Sequence, residues 1–432
     1  MKPKSDLPKQ IGGISIQFYA WMAILAVGLL PLGSSLAGYL LFGTPIFAEY
    51  VSSSVAWGLL VPVYVFFVLA GSGLCLIASL GHIFRIGDFE LISKRAIFLA
   101  IVMLLTGFTA IALDLGRIDR AYIPFLISQN LSSPMMWMML LYVLYLVVVI
   151  VEFWLINRID LATKAKSSTG IKSLFYTLLT LGFRSVSEES EERDHRIARL
   201  IGVGALALAV AAPSNLGALF GVLKARPMLF GAFMPVFFVL TALVSGAAVL
   251  LFATILTQRA TRQTVSQESR GVFTSLGRIM GLLLVIYLVF IAWKTMTSLF
   301  SQIPHEVNAS ALLVSGPMML QFWGLEIIVG GIAPLALIIY PRTGKSLWGI
   351  LTAATLVLIG MFFVRYDLIV AGQVVPALEG SQILYSPSQI EITILASLIA
   401  MAALVYSIGG KIFSLSGETT AVPHHQDAPQ HK

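Results

Sequence analysis

Residues 55–84 read VAWGLLVPVYVFFVLAGSGLCLIASLGHIF, thirty residues without a single Asp, Glu, Lys or Arg. A helix needs roughly 20 apolar residues to cross the hydrocarbon of a bilayer, so this stretch spans it with residues to spare. Its glycines, in AGSGLC, form no phosphate cradle; within lipid, small residues let helices approach closely. Working outward, runs of the same kind fall at about 18–42, 96–113, 134–157, 197–222, 228–257, 275–300, 312–340, 346–364 and 388–415. Lipid offers backbone groups no water to bond with, and runs this long and continuous satisfy themselves as helices. The expected fold is therefore an all-α, polytopic membrane protein of about ten spans. The third and ninth runs are the shortest, which leaves counts of nine or eleven open.

Composition agrees. The chain has 432 residues, 58% hydrophobic and 11% charged, where a soluble domain carries roughly a quarter charged residues. The net charge of +7 does not point to nucleic acid, because the basic residues sit between the apolar runs. Lys and Arg favour cytoplasmic loops. With both termini inside and ten spans, 22 of the 28 basic residues fall inside, leaving Arg117, Arg120, Lys224, Arg226, Lys294 and Arg365 outside. A cytoplasmic N-terminus is expected over 1–17 and a transmembrane domain over 18–415. A disordered cytoplasmic tail is expected over 416–432. The first apolar run is long enough to span and lacks a clear small-residue cleavage site, so it reads as a span rather than a cleaved signal. The inside loop at about 158–196 holds IKSLFYTLLTLGF ahead of EESEERDHR. The first part fits either an interfacial amphipathic helix or a solvated linker. Cys75 is the sole cysteine, so neither a disulfide nor a thiolate-bound cluster is available within the chain.

Ionisable groups inside spans are costly and mark functional candidates. Asp114 and Arg117, in ALDLGRIDR, close the third span at its outer end. Their i, i+3 spacing puts them on one helix face, either as a helix-end ion pair or as a polar corner for a headgroup. Glu326, in QFWGLEIIVGG, is flanked by apolar residues and suits proton transfer or a hydrogen bond to a neighbouring helix. Glu152, in VVVIVEFWLINR, lies near the inner end of the fourth span, either at the mouth of a proton route or paired with Arg158. Lys294 and Arg365 lie near outer span ends, where long basic side chains snorkel. His82 is the only histidine in a span, so the chain cannot supply the facing pair that ligates a membrane b-type haem.

Several of these segments, taken in order over most of residues 55–375, resemble the NrfD/polysulfide reductase membrane-subunit (PsrC-like) family, above all its larger ten-span, hydrogenase-2-type (HybB-like) members. They are the glycine-rich FFVLAGSGLCLIASLGHIFRIGDF, ALDLGR, and SSPMMWMMLLYVLYLVVVIVEFWL with its Glu near the inner end. NLGALFGVLKARPMLFGAFMPVFFVLTALVSGAAV, FWGLEIIVGGIAP and VRYDLIVAGQ follow. The resemblance implies two four-helix bundles plus extra helices. It also implies a quinone (menaquinone or ubiquinone), with no haem or iron–sulfur cluster in this chain. The implied partners are a ferredoxin-like iron–sulfur subunit and a catalytic subunit: a molybdopterin enzyme, a hydrogenase or a multihaem cytochrome. The implied location is a bacterial inner membrane, in a complex rather than as an enzyme alone. Carried over residue by residue, the quinone pocket falls on Trp57, Asp114, Arg117 and Tyr122, while Glu152, Glu326 and Arg365 serve proton movement or structure; His82, from its place in the second span, is a further proton-route candidate. The chain departs from some members in reading SSSVAWG at the start of the second span and AAPS ahead of NLG, where those members carry histidines. Two rival readings suit the same residues: a secondary transporter, since ten helices with a mid-membrane Glu fit that class, and a purely structural anchor.

Overall fold

Among the described residues, ten helices long and apolar enough to cross a membrane run over Ile16–Leu41, Leu60–His82, Glu90–Asp114, Pro134–Ser167, Glu189–Gly221, Phe233–Ala260, Gln267–Leu299, Leu320–Ile339, Leu347–Val370 and Gln389–Ile412. They are seen in a computed structural model that describes residues 10–11, 14–42, 57–115, 118–120, 122–123, 127–183, 185–224, 226, 228–261, 266–374 and 385–415. Arg117 and the segments 1–9 and 416–432 lie outside the described residues. The chain is a polytopic all-α membrane protein; the only extended pairing among the described residues is Gln10–Ile11 against Ile14–Ser15.

Spans two to five pack as one four-helix bundle and spans six to nine as a second. Alternation puts the starts of the even-numbered spans on one face, with Trp57, Asp114 and Lys294, and their ends on the other, with His82. The two bundles join where the second span crosses the sixth. Gly73 lies against the Ala242 carbonyl, and Gly246 lies against the backbone of Gly73 and Leu74. Glycine is required at both positions, because a Cβ on either would overlap the opposite backbone. The eighth and ninth spans repeat the device at Gly330 and Gly360. This is the small-residue packing that lipid favours, since hydrocarbon gives apolar helix faces no hydrophobic reason to associate.

The outermost spans are held differently. The first buries only Leu25 and Leu32 among its large side chains. It leans on the tenth, where Trp21 Nε1 donates to Ser407 Oγ at 3.1 Å and the Lys411 ammonium lies 4.7 Å from the Phe18 ring centre. The tenth packs in turn on the third, Gly409 abutting the Phe98 ring.

Two helices run further than their apolar stretches. The fourth, expected to end near 157, continues to Ser167, and the fifth begins at Glu188. Arg158, buried between them, is paired with Asp194 and donates to Ser190 Oγ at 2.6 Å. A paired charge lets a helix continue past the hydrocarbon, which hydropathy alone does not register. Most of the 158–196 loop is thus helical. Its IKSLFYTLL segment forms a helix at Ile171–Leu179 that leaves Ile171, Leu174 and Leu178 exposed. Trp154 Nε1 ties the end of that helix to the fourth span by donating to the Leu179 carbonyl at 2.9 Å.

Gly73→Leu or Gly246→Leu should force the bundles apart and cost more than the usual 1–3 kcal/mol of an overpacked core. In detergent the apparent Tm and the yield of folded protein should both fall. Gly33→Ala, whose added methyl meets nothing within 4 Å, should leave both unchanged.

Candidate functional site

Among the described residues, and besides the Arg158–Asp194 pair, buried polar side chains gather in three places that bear on the expected sites. The first is a corner on the Trp57 face. Trp57 enters the second span clamped by Gln373: its N–H donates to Gln373 Oε1 at 2.9 Å, and Gln373 Nε2 donates to the Trp57 carbonyl at 3.0 Å. Arg226 holds the backbone of the same glutamine, Nη1 donating to the Gln373 carbonyl at 2.7 Å. The Trp57 ring meets Phe220 edge-on with centroids 5.5 Å apart. Two residues on, the Leu59 N–H donates to Glu391 Oε1 at 3.0 Å and to the Tyr385 hydroxyl at 2.8 Å. Tyr385 donates in turn to Glu391 Oε1 at 2.5 Å. Burial, and after it the bond to Glu391, holds the Tyr385 hydroxyl well above its ordinary range, so it stays a donor. Asp114, partly buried at the end of the third span, has Glu391 as its charged neighbour. The structure thus brings Trp57 and Asp114 to one corner. Tyr122, 53% exposed, lies beyond the span ends on the same face and is not drawn into that hydrogen-bonded cluster.

The second place is inside the second bundle. Tyr287 donates to Glu326 Oε1 at 2.8 Å. Arg365 is fully buried, its guanidinium 5.5 Å from the Phe238 ring centre, and none of its three nitrogens has a hydrogen-bond partner among the described residues. Asp367, 1% exposed, has no partner on either carboxyl oxygen among them. Glu326, Lys294 and Asp367 line one cleft with about 30 Å³ of free space, enough for a water or two. Both acids lie on π-helical turns, Leu320–Ile332 and Asp367–Ala371. Such turns are rare, and they occur frequently at functional sites.

The third place is near the opposite face of the first bundle. His82 Nε2 and Glu152 Oε1 approach to 3.7 Å, with Gly202 of the fifth span leaving the room: a Cβ there would come within 2.8 Å of Glu152 Oε1. The pairing of Glu152 with Arg158 does not form. Six residues along a helix turn the side chain through about 240°, onto another face, and Arg158 is taken by Asp194. Between this pair and the second bundle stand Cys75, Tyr145 and Tyr142, the last within electrostatic reach of Arg365.

Residue-by-residue reading of the spans misses Asp367, Gln373, Glu391, Tyr287 and Tyr385. Asp367 and Gln373 stand inside VRYDLIVAGQ, where an acid followed by four apolar residues was the available signal. Glu391 follows Ser388 by three, a capping box in which the Ser388 N–H donates to Glu391 Oε2 at 2.8 Å and the Glu391 N–H donates to Ser388 Oγ at 3.2 Å. Nothing local shows that the same carboxylate also reaches Leu59. Gln373→Ala should cost about 1–3 kcal/mol by leaving the Trp57 backbone groups unpaired. Thermal unfolding followed by tryptophan fluorescence should show a lower midpoint, and Gln373→Glu should recover at most part of it, since a carboxylate accepts but cannot donate.

The chain is similar, over most of its length, to membrane subunits of several reductases. A selenate reductase subunit of Mesobacillus selenatarsenatis is 28% identical over 372 residues, covering 83% of this chain and 85% of its own length. The Hdr-like menaquinol oxidoreductase integral membrane subunit of Archaeoglobus fulgidus is 26% identical over 424 residues, 95% of this chain and 96% of its own. The menaquinone reductase integral membrane subunit of Nitratidesulfovibrio vulgaris is 24% identical over 352 residues, 79% and 78% respectively. The family model described as polysulphide reductase, NrfD matches residues 50–377. With more than half its length matched, the chain belongs to the NrfD polysulphide reductase family.

Proposed function

We propose that this chain is the quinone-binding integral membrane subunit of a respiratory oxidoreductase complex in a bacterial inner membrane. In this reading the Trp57 face is the outer one. A ferredoxin-like iron–sulfur subunit docks there and exchanges electrons with the quinone pool on behalf of a catalytic subunit. The relatives named for menaquinol and menaquinone support menaquinone as the carrier. The observation that carries the reading is the convergence of Trp57, Asp114 and Glu391 at one end of the first bundle. The Trp57 ring, edge-on to Phe220, stands at the same end of that bundle as the two carboxyls.

A quinone supplies a two-electron, two-proton exchange, so the chain's part is to bind the headgroup and to move protons. Asp114 is placed to accept or give a proton at the headgroup, with Arg117 three residues on to hold an oxygen. Trp57 and Tyr122 supply aromatic surface. The neighbouring Glu391 is fixed by three donors, the Leu59 N–H, the Tyr385 hydroxyl and the Ser388 N–H, so its oxygens are already committed while Asp114 changes state. Glu326, with Arg365, and Glu152, with His82, are proton-handling groups in the two bundles. The Tyr142–Tyr145–Cys75 file lies between them, and water completes the bonds that the protein leaves open.

Asp114→Asn and Arg117→Ala should assemble with the partner subunits and lose quinone-linked turnover by about 10²-fold or more, the usual weight of one acid–base group. Turnover of the intact complex with a short-chain quinol, beside a partner-subunit blot, measures this. Unchanged rates in both variants would reject the corner as the site. Glu326→Gln should slow turnover without weakening quinol binding; an unaltered rate and an unaltered proton-to-electron ratio would return Glu326 to a structural role.

A further inference from the structure

A groove opens on the second bundle, away from the Trp57 corner but on the same face. It encloses about 450 Å³ between the sixth and seventh spans, within the roughly 300–1,000 Å³ in which small ligands are usually held. Its walls are aromatic: Phe230, Phe233, Phe290 and Trp293. Phe233 lies 5.4 Å from Phe290 and stacks on Phe237 at 5.3 Å, leaving a bank of rings along one side. Trp293 is 67% exposed and Phe230 47%, so the groove is open to the outside of the bundle.

Its inner end is polar. Lys294 lines both the groove and the narrow cleft that leads to Glu326 and Asp367. The Lys294 ammonium stands 6.0 Å from the Phe237 ring centre and enters no ion pair among the described residues. Beyond it Asp367 is 1% exposed, with both carboxyl oxygens unpartnered among the described residues. A carboxyl so deeply buried and left unsatisfied is strongly unfavourable unless water or a ligand reaches it. One donor and two acids at the end of a flat aromatic slot suit a planar group that both accepts and donates hydrogen bonds. They do not suit a phosphate, which would meet Glu306 at the rim and Glu326 and Asp367 behind the cleft, against a single ammonium.

We propose that this groove is a second quinone-headgroup site on the chain, with Lys294 donating to a ring oxygen and the Asp367–Glu326 cleft accepting from a hydroxyl, directly or through water. The occupant's identity rests on the function proposed above; the groove and its orphaned acid do not. The site binds without any electron transfer being required at it. It gives the chain a bound carrier beside the proton-handling cluster, on the same face as the Asp114 corner.

The test is a fluorescence-quench titration of the purified full-length chain with 2-heptyl-4-hydroxyquinoline N-oxide, a quinol analogue, and phospholipid analysis of the same samples. Wild type should bind two equivalents. Lys294→Met and Trp293→Leu, the latter at a largely exposed position and so tolerated by the fold, should each weaken one of the two by at least tenfold and spare the other. Asp114→Asn should do the converse. One equivalent, lost in Asp114→Asn and kept in both groove variants, would overturn the second site and leave the proposed function standing. One equivalent lost only in the groove variants would support the groove and overturn the corner. No binding in any sample would overturn both, and a copurifying phospholipid displaced only in the groove variants, with the titration unchanged, would assign the groove to lipid and overturn the proposal.

Discussion

The contact on which the remaining structure depends is the crossing of the second and sixth spans at Gly73 and Gly246. In hydrocarbon, apolar helix faces gain nothing by leaving lipid for one another, and association rests on close packing and on polar groups that find partners. Two glycines that expose backbone to backbone provide the first. They set the distance at which the bundles meet, and so fix whether Tyr142 of the first bundle can stand within electrostatic reach of Arg365 of the second.

Given that frame, the buried charges explain one another only in part. Arg365 is fully enclosed, with an aromatic face and acidic neighbours but no hydrogen bond to its nitrogens among the described residues. Asp367 and Glu152 also carry oxygens without partners there, and so does the His82 ring at Nε2. Well-packed interiors leave few such groups; these four stand around a cleft and a glycine-made gap, while others, among them Asn157, Asn215 and Thr254, lie elsewhere in the described residues. That grouping favours a hydrated route or a ligand-facing surface, because a purely structural network gains nothing by leaving its members half bonded.

The fold was legible because the physics of spanning is local. Twenty apolar residues in a row need no tertiary information, so the ten helices, the role of the glycines in AGSGLC, and the candidacy of Glu326 and Glu152 all follow from the chain read in order. What escaped was set by pairing between distant segments. Arg158 extends a helix because Asp194, thirty-six residues on, neutralises it. Gln373 reads as an ordinary polar residue at a span end until the fold lays it across the Trp57 backbone, 316 positions away. Asp367 sits two residues after Arg365, the more conspicuous charge in the sequence, and only the folded chain shows that it lines the cleft. Arg117, the expected companion of Asp114 at the end of the third span, lies outside the described residues, so the corner is supported through Trp57, Asp114 and Glu391 instead.

The role of Glu391 bears on how the family architecture is used here. The segment that matches the family ends at residue 377, yet the corner at Trp57 is closed by a carboxylate from the tenth span. One oxygen takes the Leu59 N–H and the Tyr385 hydroxyl, the other the Ser388 N–H. Gly58 lies so close to the first oxygen that any side chain there would displace it. The Leu59 N–H is one of the donors that the start of a helix leaves without an intrahelical partner, so a carboxylate arriving from another helix both satisfies it and pins the entry of the second span. That entry carries Trp57. The tenth span, which packs against the third as well, therefore sets where the Trp57 ring stands relative to Asp114. The geometry of the corner depends on a helix that the matched family segment does not contain.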